Sequence, residues 1–199
     1  MRDGVIPHHH ADRVAAPRVP RRQPTHLTRD QARHLFTFIK IDENDALWTL
    51  LLGCGLRLGE ALGLRWSDLD LDRDKPRLSV AQALADIPID MSTTKKIGRR
   101  KGISDTKTES SVAKVPVPLL VVEALRRQRL YVAQLRLAAV VWDQDLNLVF
   151  PSQLGTPLDP AKLGRAWRAL RVNAELPKVR IHDLRHSAAT FLLAAGVEM

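Results

Sequence analysis

Two short motifs, far apart in the chain, contain the side chains best suited to chemistry on a phosphodiester. The first is Gly55-Leu56-Arg57-Leu58-Gly59-Glu60 and the second is His182-Asp183-Leu184-Arg185-His186. A guanidinium is planar, permanently charged and donates hydrogen bonds in a fork that matches phosphate oxygens. An imidazole exchanges protons near neutral pH. Two arginines and a histidine therefore supply the groups that hold a phosphodiester and stabilise additional negative charge on it.

The spacing within each motif predicts which side chains share a helix face. Glu60 lies three residues after Arg57, where it could hold the arginine in one rotamer, although a surface ion pair of little energetic consequence has the same spacing. His182 lies three residues before Arg185, and His186 lies four residues after His182. We disfavour a zinc site at these histidines, because the cation Arg185 lies between them and no glutamate intervenes to act as a base.

A basic segment lies between two predicted strands and provides candidate DNA contacts. Between Met91 and Lys114 the sequence has seven lysines and arginines against Asp105 and Glu109, and we expect Asp86 to Asp105 to be a loop. Lys107 could enter a DNA groove and protonate a leaving oxygen, but its spacing does not distinguish it from the other lysines of a solvated loop. The remaining basic residues are Lys95, Lys96, Arg99, Arg100, Lys101 and Lys114.

The overall charge agrees with a polyanionic partner. Thirty-one lysines and arginines against 22 acidic residues give a net charge of +9, and the sequence pI is near 10.3. Such a balance predicts attraction to nucleic acid. Composition alone is equally compatible with a soluble, arginine-rich protein from a GC-rich genome.

Other features limit the class of protein. Cys54 is the only cysteine, which excludes a disulfide framework, and its apolar surroundings predict a buried structural thiol. His8, His9 and His10 are expected to be solvated rather than to bind a metal. No apolar stretch has the length of a membrane span, and the N-terminal residues lack the hydrophobic core of a signal peptide, so we expect a cytoplasmic protein.

Hydrophobic periodicity predicts a mainly α protein with a small antiparallel β-sheet after the third helix, an α+β arrangement. Thr28 to Gln31 matches a capping box at the start of the first helix. Residues 1–25 are basic and proline-rich and predict an extended arm. The other predicted helices run from Asp42 to Gly53, Arg57 to Leu64, Leu119 to Ala139, Pro160 to Asn173 and His182 to Ala195, with strands at Arg77–Ala81 and Lys114–Pro118 and an extended piece at Leu148–Pro151.

Four boxes in this order resemble the tyrosine recombinase (phage integrase) family. They are Gly55-Leu56-Arg57-Leu58-Gly59-Glu60, Leu64-Arg65-Trp66-Ser67-Asp68-Leu69-Asp70, Thr106-Lys107-Thr108 before Val115-Pro116-Val117-Pro118, and His182-Asp183-Leu184-Arg185-His186. The resemblance covers about residues 25–199 and implies the family's DNA breaking-rejoining catalytic fold.

The resemblance implies DNA strand exchange through a 3′-phosphotyrosine, without a metal or another cofactor. Arg57 and Arg185 match the two arginines that stabilise the transition state, and His182 matches the general acid/base. Lys107 matches the hairpin lysine that protonates the 5′-oxygen leaving group, while Glu60 and His186 match supporting positions. The implied partners are double-stranded DNA and other recombinase subunits, which assemble as a tetrameric synapse in the family.

Two parts of the family pattern are not found in the sequence. The nucleophilic tyrosine is expected beyond Met199, because the only tyrosine, Tyr131, lies within a predicted helix. Residues 1–25 resemble the tail of a linker from a missing core-binding domain. We therefore expect residues 26–199 to be a catalytic domain incomplete at its C-terminus, associated with the nucleoid and unable to cleave DNA alone. The alternative is a non-catalytic remnant that contacts DNA or a full-length recombinase.

Overall fold

The computed structural model describes residues 25–89, 98–105 and 113–194. The predicted mainly α architecture with small antiparallel sheets is confirmed. The helices and strands are α1 (Arg29–Ile39), α2 (Asp45–Cys54), α3 (Leu58–Gly63), β1 (Leu69–Asp70), β2 (Arg77–Val80), β3 (Gln82–Ile89), β4 (Gly98–Asp105), β5 (Ala113–Pro116), α4 (Leu119–Ala138), α5 (Pro160–Asn173) and α6 (Ile181–Ala194).

Side chains fix the starts of two helices, and the sequence predicts the first of these caps. The Thr28 hydroxyl accepts from the Gln31 backbone N–H at 3.2 Å, and the Gln31 side chain accepts from the Thr28 N–H at 3.0 Å. At α5, the Asp159 carboxylate accepts from the Ala161 N–H at 2.9 Å, and Pro160 occupies the first helical position. These bonds satisfy N–H groups that a helix leaves without partners in its first turn.

Helix α2 is the centre of the hydrophobic core. Its residues from Ala46 to Leu52 are all buried, which is typical of a helix surrounded by other elements. Helices α4 and α6 both pack against it. The fully buried Trp48 contacts Trp167 of α5 with ring centroids 5.3 Å apart, and its Nε1 donates to Asp42 at 3.0 Å.

The strands form two antiparallel sheets. The first has the order β1-β2-β5, with Leu78 opposite Val115; β2 and β5 lie where the sequence predicts two strands. The second is the hairpin β3–β4, in which Gln82 pairs with Asp105 and Ile89 with Gly98. The predicted loop from Asp86 to Asp105 is therefore wrong for residues 86–89 and 98–105, and residues 90–97 lie outside the described part of the chain. Its charged composition obscured the strands, because backbone pairing and packing against α3 stabilise them more than intrinsic β-propensity does.

Two glycines allow β3 to approach α3 closely. A Cβ added at Gly59 would lie 2.7 Å from the Leu84 carbonyl oxygen, and one at Gly63 would lie 2.8 Å from the Ala83 Cα. The buried Gln82 side chain adds a hydrogen bond from its Nε2 to the Gly63 carbonyl oxygen at 2.5 Å. The hairpin is therefore fixed to the short helix that follows Arg57.

Cys54 is buried, as predicted, and burial raises the pKa of its thiol to about 12. A neutral thiol at physiological pH is a poor nucleophile, which agrees with a packing role. Within the three described ranges, no helix combines the length and hydrophobicity that crossing a membrane requires.

We expect Gly63→Ala to lower the free energy of unfolding by about 1 to 3 kcal/mol, because the new methyl group would overlap the β3 backbone. Urea denaturation followed by circular dichroism measures the change. The matched control is Gly164→Ala in α5, where an added Cβ meets no atom within 4 Å. This substitution should raise stability by about 0.5 to 1 kcal/mol, since alanine is the better helix former. Equal effects of the two substitutions would contradict the proposed close packing of α3 on β3.

Candidate functional site

The first arginine motif forms the turn between α2 and α3. Gly55 ends α2 with a φ of +65°, a conformation that glycine adopts without steric cost. Leu56 is buried and anchors the turn in the core. The chain then enters α3 at Arg57, whose side chain is 63% exposed. The turn therefore presents Arg57 to solvent at the end of the most buried helix.

Glu60 holds Arg57 through two bonds. Its carboxylate accepts from the Arg57 backbone N–H at 2.7 Å and from the Arg57 Nη1 at 2.8 Å. The first bond satisfies an N–H group at the start of α3, as in a capping box. The Glu60 side chain is only 15% exposed. The predicted contact between Arg57 and Glu60 is confirmed.

Arg185 of α6 reaches the same turn from the other side. Its Nη1 donates to the Gly55 carbonyl oxygen at 2.8 Å and lies 3.7 Å from the second carboxylate oxygen of Glu60. A Cβ added at Gly55 would lie 3.3 Å from the Ala188 Cβ, so α6 is close to the end of α2. The structure thus brings the two arginine motifs together. The sequence does not identify the Gly55 carbonyl as an acceptor for Arg185, because every residue has a backbone carbonyl and nothing distinguishes this one.

Arg57, Arg185, Glu60 and the Gly55 carbonyl form one cluster, the arginine pocket, which has excess positive charge. One carboxylate faces two guanidinium groups, and the Arg185 side chain remains 41% exposed. The bonds to Glu60 and Gly55 engage one nitrogen, Nη1, of each guanidinium. Each guanidinium has five N–H donors. The arrangement can therefore bind an anion with several acceptor oxygens, such as a phosphodiester.

The two histidines of the second motif lie at the start of α6. Their rings make an edge-to-face contact with centroids 5.4 Å apart and an interplanar angle of 87°. Both side chains are exposed. His182 precedes Arg185 by about one helical turn, as predicted, and the Asp183 carboxylate accepts from the Arg180 N–H at 2.8 Å to fix the helix start. Within the described part of the chain, no group of three or more His, Cys, Asp or Glu residues could hold a metal.

Only some of the basic residues predicted to contact DNA lie in the described part of the chain. Lys114 is exposed on β5, opposite Ser79. Arg99, Arg100 and Lys101 belong to β4. Lys95, Lys96 and Lys107 lie outside the described residues, as do His8, His9, His10 and the rest of the basic arm before Thr25.

Tyr131 lies on α4, away from the arginine pocket. Val121, near the start of α4, contacts α2 at Gly53. Tyr131 follows ten residues later, about 15 Å further along the helix axis at 1.5 Å per residue. Its side chain is 45% exposed. Tyr131 is therefore partly exposed on α4, on a part of that helix remote from the end of α2 that leads to Arg57.

Comparison with protein families gives a match to the phage integrase family over residues 25–199. The chain is 31% identical to "Tyrosine recombinase XerC-like" from Caldanaerobacter subterraneus subsp. tengcongensis, over 77% of this chain and 39% of that protein. It is 30% identical to "Tyrosine recombinase XerC" from Mesorhizobium japonicum, over 100% of this chain and 56% of that protein. The chain therefore spans well under two thirds of the length of these relatives.

Solved structures with the same fold are also recombinases. The Tn1549 transposon integrase, in complex with circular intermediate DNA, matches with a TM-score of 0.69 and 26% identity, over 89% of this chain and 56% of that one. The XerA recombinase matches with a TM-score of 0.62 and 25% identity, over 92% of this chain and 54% of that one.

We expect Glu60→Ala to lower the free energy of unfolding by about 1 to 2 kcal/mol, because α3 loses the carboxylate that caps the Arg57 N–H. Arg57→Ala should cost less than about 0.5 kcal/mol, because its exposed ion pair contributes little and the backbone cap remains. Urea denaturation measures both. The control Glu123→Ala removes an exposed glutamate of α4 and should change stability by at most about 0.5 kcal/mol. If Arg57→Ala lowers the free energy of unfolding as much as Glu60→Ala does, the ion pair stabilises the turn and the bond from the Arg57 N–H to Glu60 does not.

Proposed function

Because the chain belongs to the phage integrase family, we propose that residues 26–199 are the catalytic domain of a tyrosine recombinase acting in site-specific DNA recombination and integration. The observation that carries this proposal is the convergence of Arg57 and Arg185 on the Glu60 carboxylate. Residues 1–25 are the basic linker that precedes this domain. The substrate is double-stranded DNA at the nucleoid in the cytoplasm.

The arginine pocket binds the scissile phosphate. Arg57 and Arg185 donate to its non-bridging oxygens and stabilise the additional negative charge of the pentacoordinate transition state. Glu60 and the Gly55 carbonyl restrict the two guanidinium groups to one arrangement, so that little reorganisation is needed when the phosphate binds.

The proton transfers are assigned to His182 and Lys107. A tyrosine hydroxyl loses its proton to His182 as its oxygen attacks phosphorus. The bond from phosphorus to the 5′ oxygen breaks, and Lys107 donates a proton to that oxygen. His186 supports His182 through the edge-to-face ring contact. No metal or other cofactor takes part in this scheme, and the family resemblance implies none.

The attacking tyrosine is not Tyr131, the only tyrosine among the 199 residues. The position of Tyr131 on α4, about 15 Å along the helix axis from the contact of Val121 with Gly53, supports this assignment. A protein composed of these residues alone therefore binds and activates the phosphate without cleaving it, unless another recombinase subunit supplies the tyrosine. The lack of a suitably placed tyrosine among the 199 residues also favours a second candidate function, a non-catalytic module that contacts DNA or a full-length recombinase.

We expect no covalent protein–DNA adduct when the 199-residue protein is incubated with a pool of nicked DNA duplexes and resolved on a denaturing gel. Tyr131→Phe is the matched control. An adduct that disappears in Tyr131→Phe would identify Tyr131 as the nucleophile. An adduct that persists in this variant would identify another nucleophile. Either outcome would show that the assignment of the missing group is wrong.

Binding to duplex DNA should weaken steeply as salt concentration rises, because basic side chains displace counterions from phosphates. Arg57→Ala and Arg185→Ala should each weaken binding roughly 10-fold and reduce the slope of log K against log [salt] by about 0.9. Fluorescence anisotropy across a salt series measures both quantities. Arg136→Ala, a change in α4 where the arginine bonds to Gln144, should leave the slope unaltered. Binding that is insensitive to salt would refute the proposed phosphate contacts.

A further inference from the structure

A buried hydrogen bond joins the segment before α1 to the helix that carries Arg185. The Leu27 backbone N–H donates to the Ser187 Oγ at 2.9 Å, across 160 residues of sequence. Leu27 and Ser187 are both completely buried. The Ser187 hydroxyl donates in turn to the Asp183 carbonyl oxygen at 3.1 Å. This hydroxyl therefore accepts from one element and donates to another, and its loss would leave the buried Leu27 N–H without an acceptor.

The position of this bond connects it to the phosphate pocket. Ser187 follows Arg185 by two residues on α6, and Asp183 is in the first turn of that helix. Helix α6 is thus fixed at two points, through Arg185 to the Gly55 carbonyl oxygen and through Ser187 to the Leu27 N–H. The residue after Leu27 is Thr28, which caps α1. A displacement of residues 25–28 would therefore act directly on the helix that positions Arg185.

We propose that Ser187 is a positioning residue that couples the segment 25–28 to phosphate binding by Arg185. The inference rests on the proposed function, because it requires Arg185 to contact DNA phosphate.

If the Ser187 hydroxyl couples residues 25–28 to phosphate binding, it has a measurable consequence that a purely structural role does not have. If the Leu27–Ser187 bond favours the arrangement that binds DNA, bound DNA must favour the bond by the same factor, because equilibrium coupling between two sites is reciprocal. A hydroxyl that only stabilises the fold would change the unfolding midpoint, but DNA would slow exchange of the Leu27 N–H no more than that of other core amides.

The first experiment is a double-mutant cycle on DNA affinity. Ser187→Ala should weaken binding about 3- to 10-fold, the effect of losing one buried hydrogen bond. In the Arg185→Ala background the same change should weaken binding less than about 2-fold, since coupled residues are not additive. Ser187→Thr, which keeps the hydroxyl, should restore most of the affinity. Urea denaturation of each variant verifies that it is folded at the assay temperature.

The matched control is Thr190→Ala. The Thr190 hydroxyl donates to the His186 carbonyl oxygen at 2.9 Å, four residues earlier on α6, just as the Ser187 hydroxyl donates to Asp183. Thr190 is exposed, so this change removes the same kind of bond within the helix without removing an acceptor for Leu27. We expect DNA affinity within 2-fold of that of the unmodified protein, about the effect of a neutral surface substitution.

The second experiment uses the unmodified protein and does not depend on the folding of a variant. Amide hydrogen exchange by NMR should show that duplex DNA slows exchange of the Leu27 N–H about 3- to 10-fold, matching the loss of affinity in Ser187→Ala as reciprocity requires. The Val149 N–H, which donates to the Leu64 carbonyl oxygen at 2.9 Å, is the reference amide: DNA should slow its exchange only as far as binding stabilises the whole fold, and the Leu27 N–H should be slowed about 3- to 10-fold beyond that.

The outcomes separate this inference from the proposed function. If Arg185→Ala leaves DNA binding unchanged, the proposed function itself is wrong and the coupling has no basis. If Arg185→Ala weakens binding but Ser187→Ala has no effect, has the same effect in both backgrounds, or leaves the Leu27 exchange unresponsive to DNA, only the coupling is refuted.

Discussion

The site depends on keeping two guanidinium groups close together. Like charges repel, and the repulsion is stronger near a protein surface than in bulk water, so two neighbouring arginines need an acceptor that both can use. Glu60 lies between them with 15% of its side chain exposed, and its carboxylate is within 4 Å of a nitrogen of each. The Gly55 carbonyl adds a second acceptor for Arg185. These oxygens offset the repulsion and still leave excess positive charge for a phosphate.

The rest of the fold provides the rigidity that this arrangement needs. Helix α2 is buried along its length, and it ends at the turn that supplies Gly55 and Arg57. Helix α6 can approach that turn closely because residue 55 has no Cβ to meet Ala188. The same turn leads into α3, where Gly59 and Gly63 admit the β3 backbone. The glycines of the first motif therefore serve the geometry of the site as directly as its charged residues do.

Local features of the structure were predictable and long-range features were not. The cap at Thr28, the bounds of α5 and the contact between Glu60 and Arg57 all involve residues within a few positions of one another, so spacing identifies them. The hairpin β3–β4 was missed because its charged residues lack an alternating apolar pattern. The bond from Leu27 to Ser187 was missed because a backbone N–H and a serine hydroxyl give no signal that links them across the chain. The predicted role of Lys107 stays a prediction.

The placement of Glu60 bears on the choice between a recombinase and a simple DNA-binding module. Non-specific affinity for duplex DNA arises from the number of phosphates that cations neutralise, and exposed arginines in almost any geometry provide it. A carboxylate between two arginines removes positive charge from the pocket and would weaken such binding. Besides capping the start of α3, it contributes to phosphate binding where the direction of the guanidinium groups matters, as it does when they must meet the oxygens of one phosphate in a transition state. The proposed recombinase function would use this fixed direction of the guanidinium groups, whereas a module that only holds DNA would not need it.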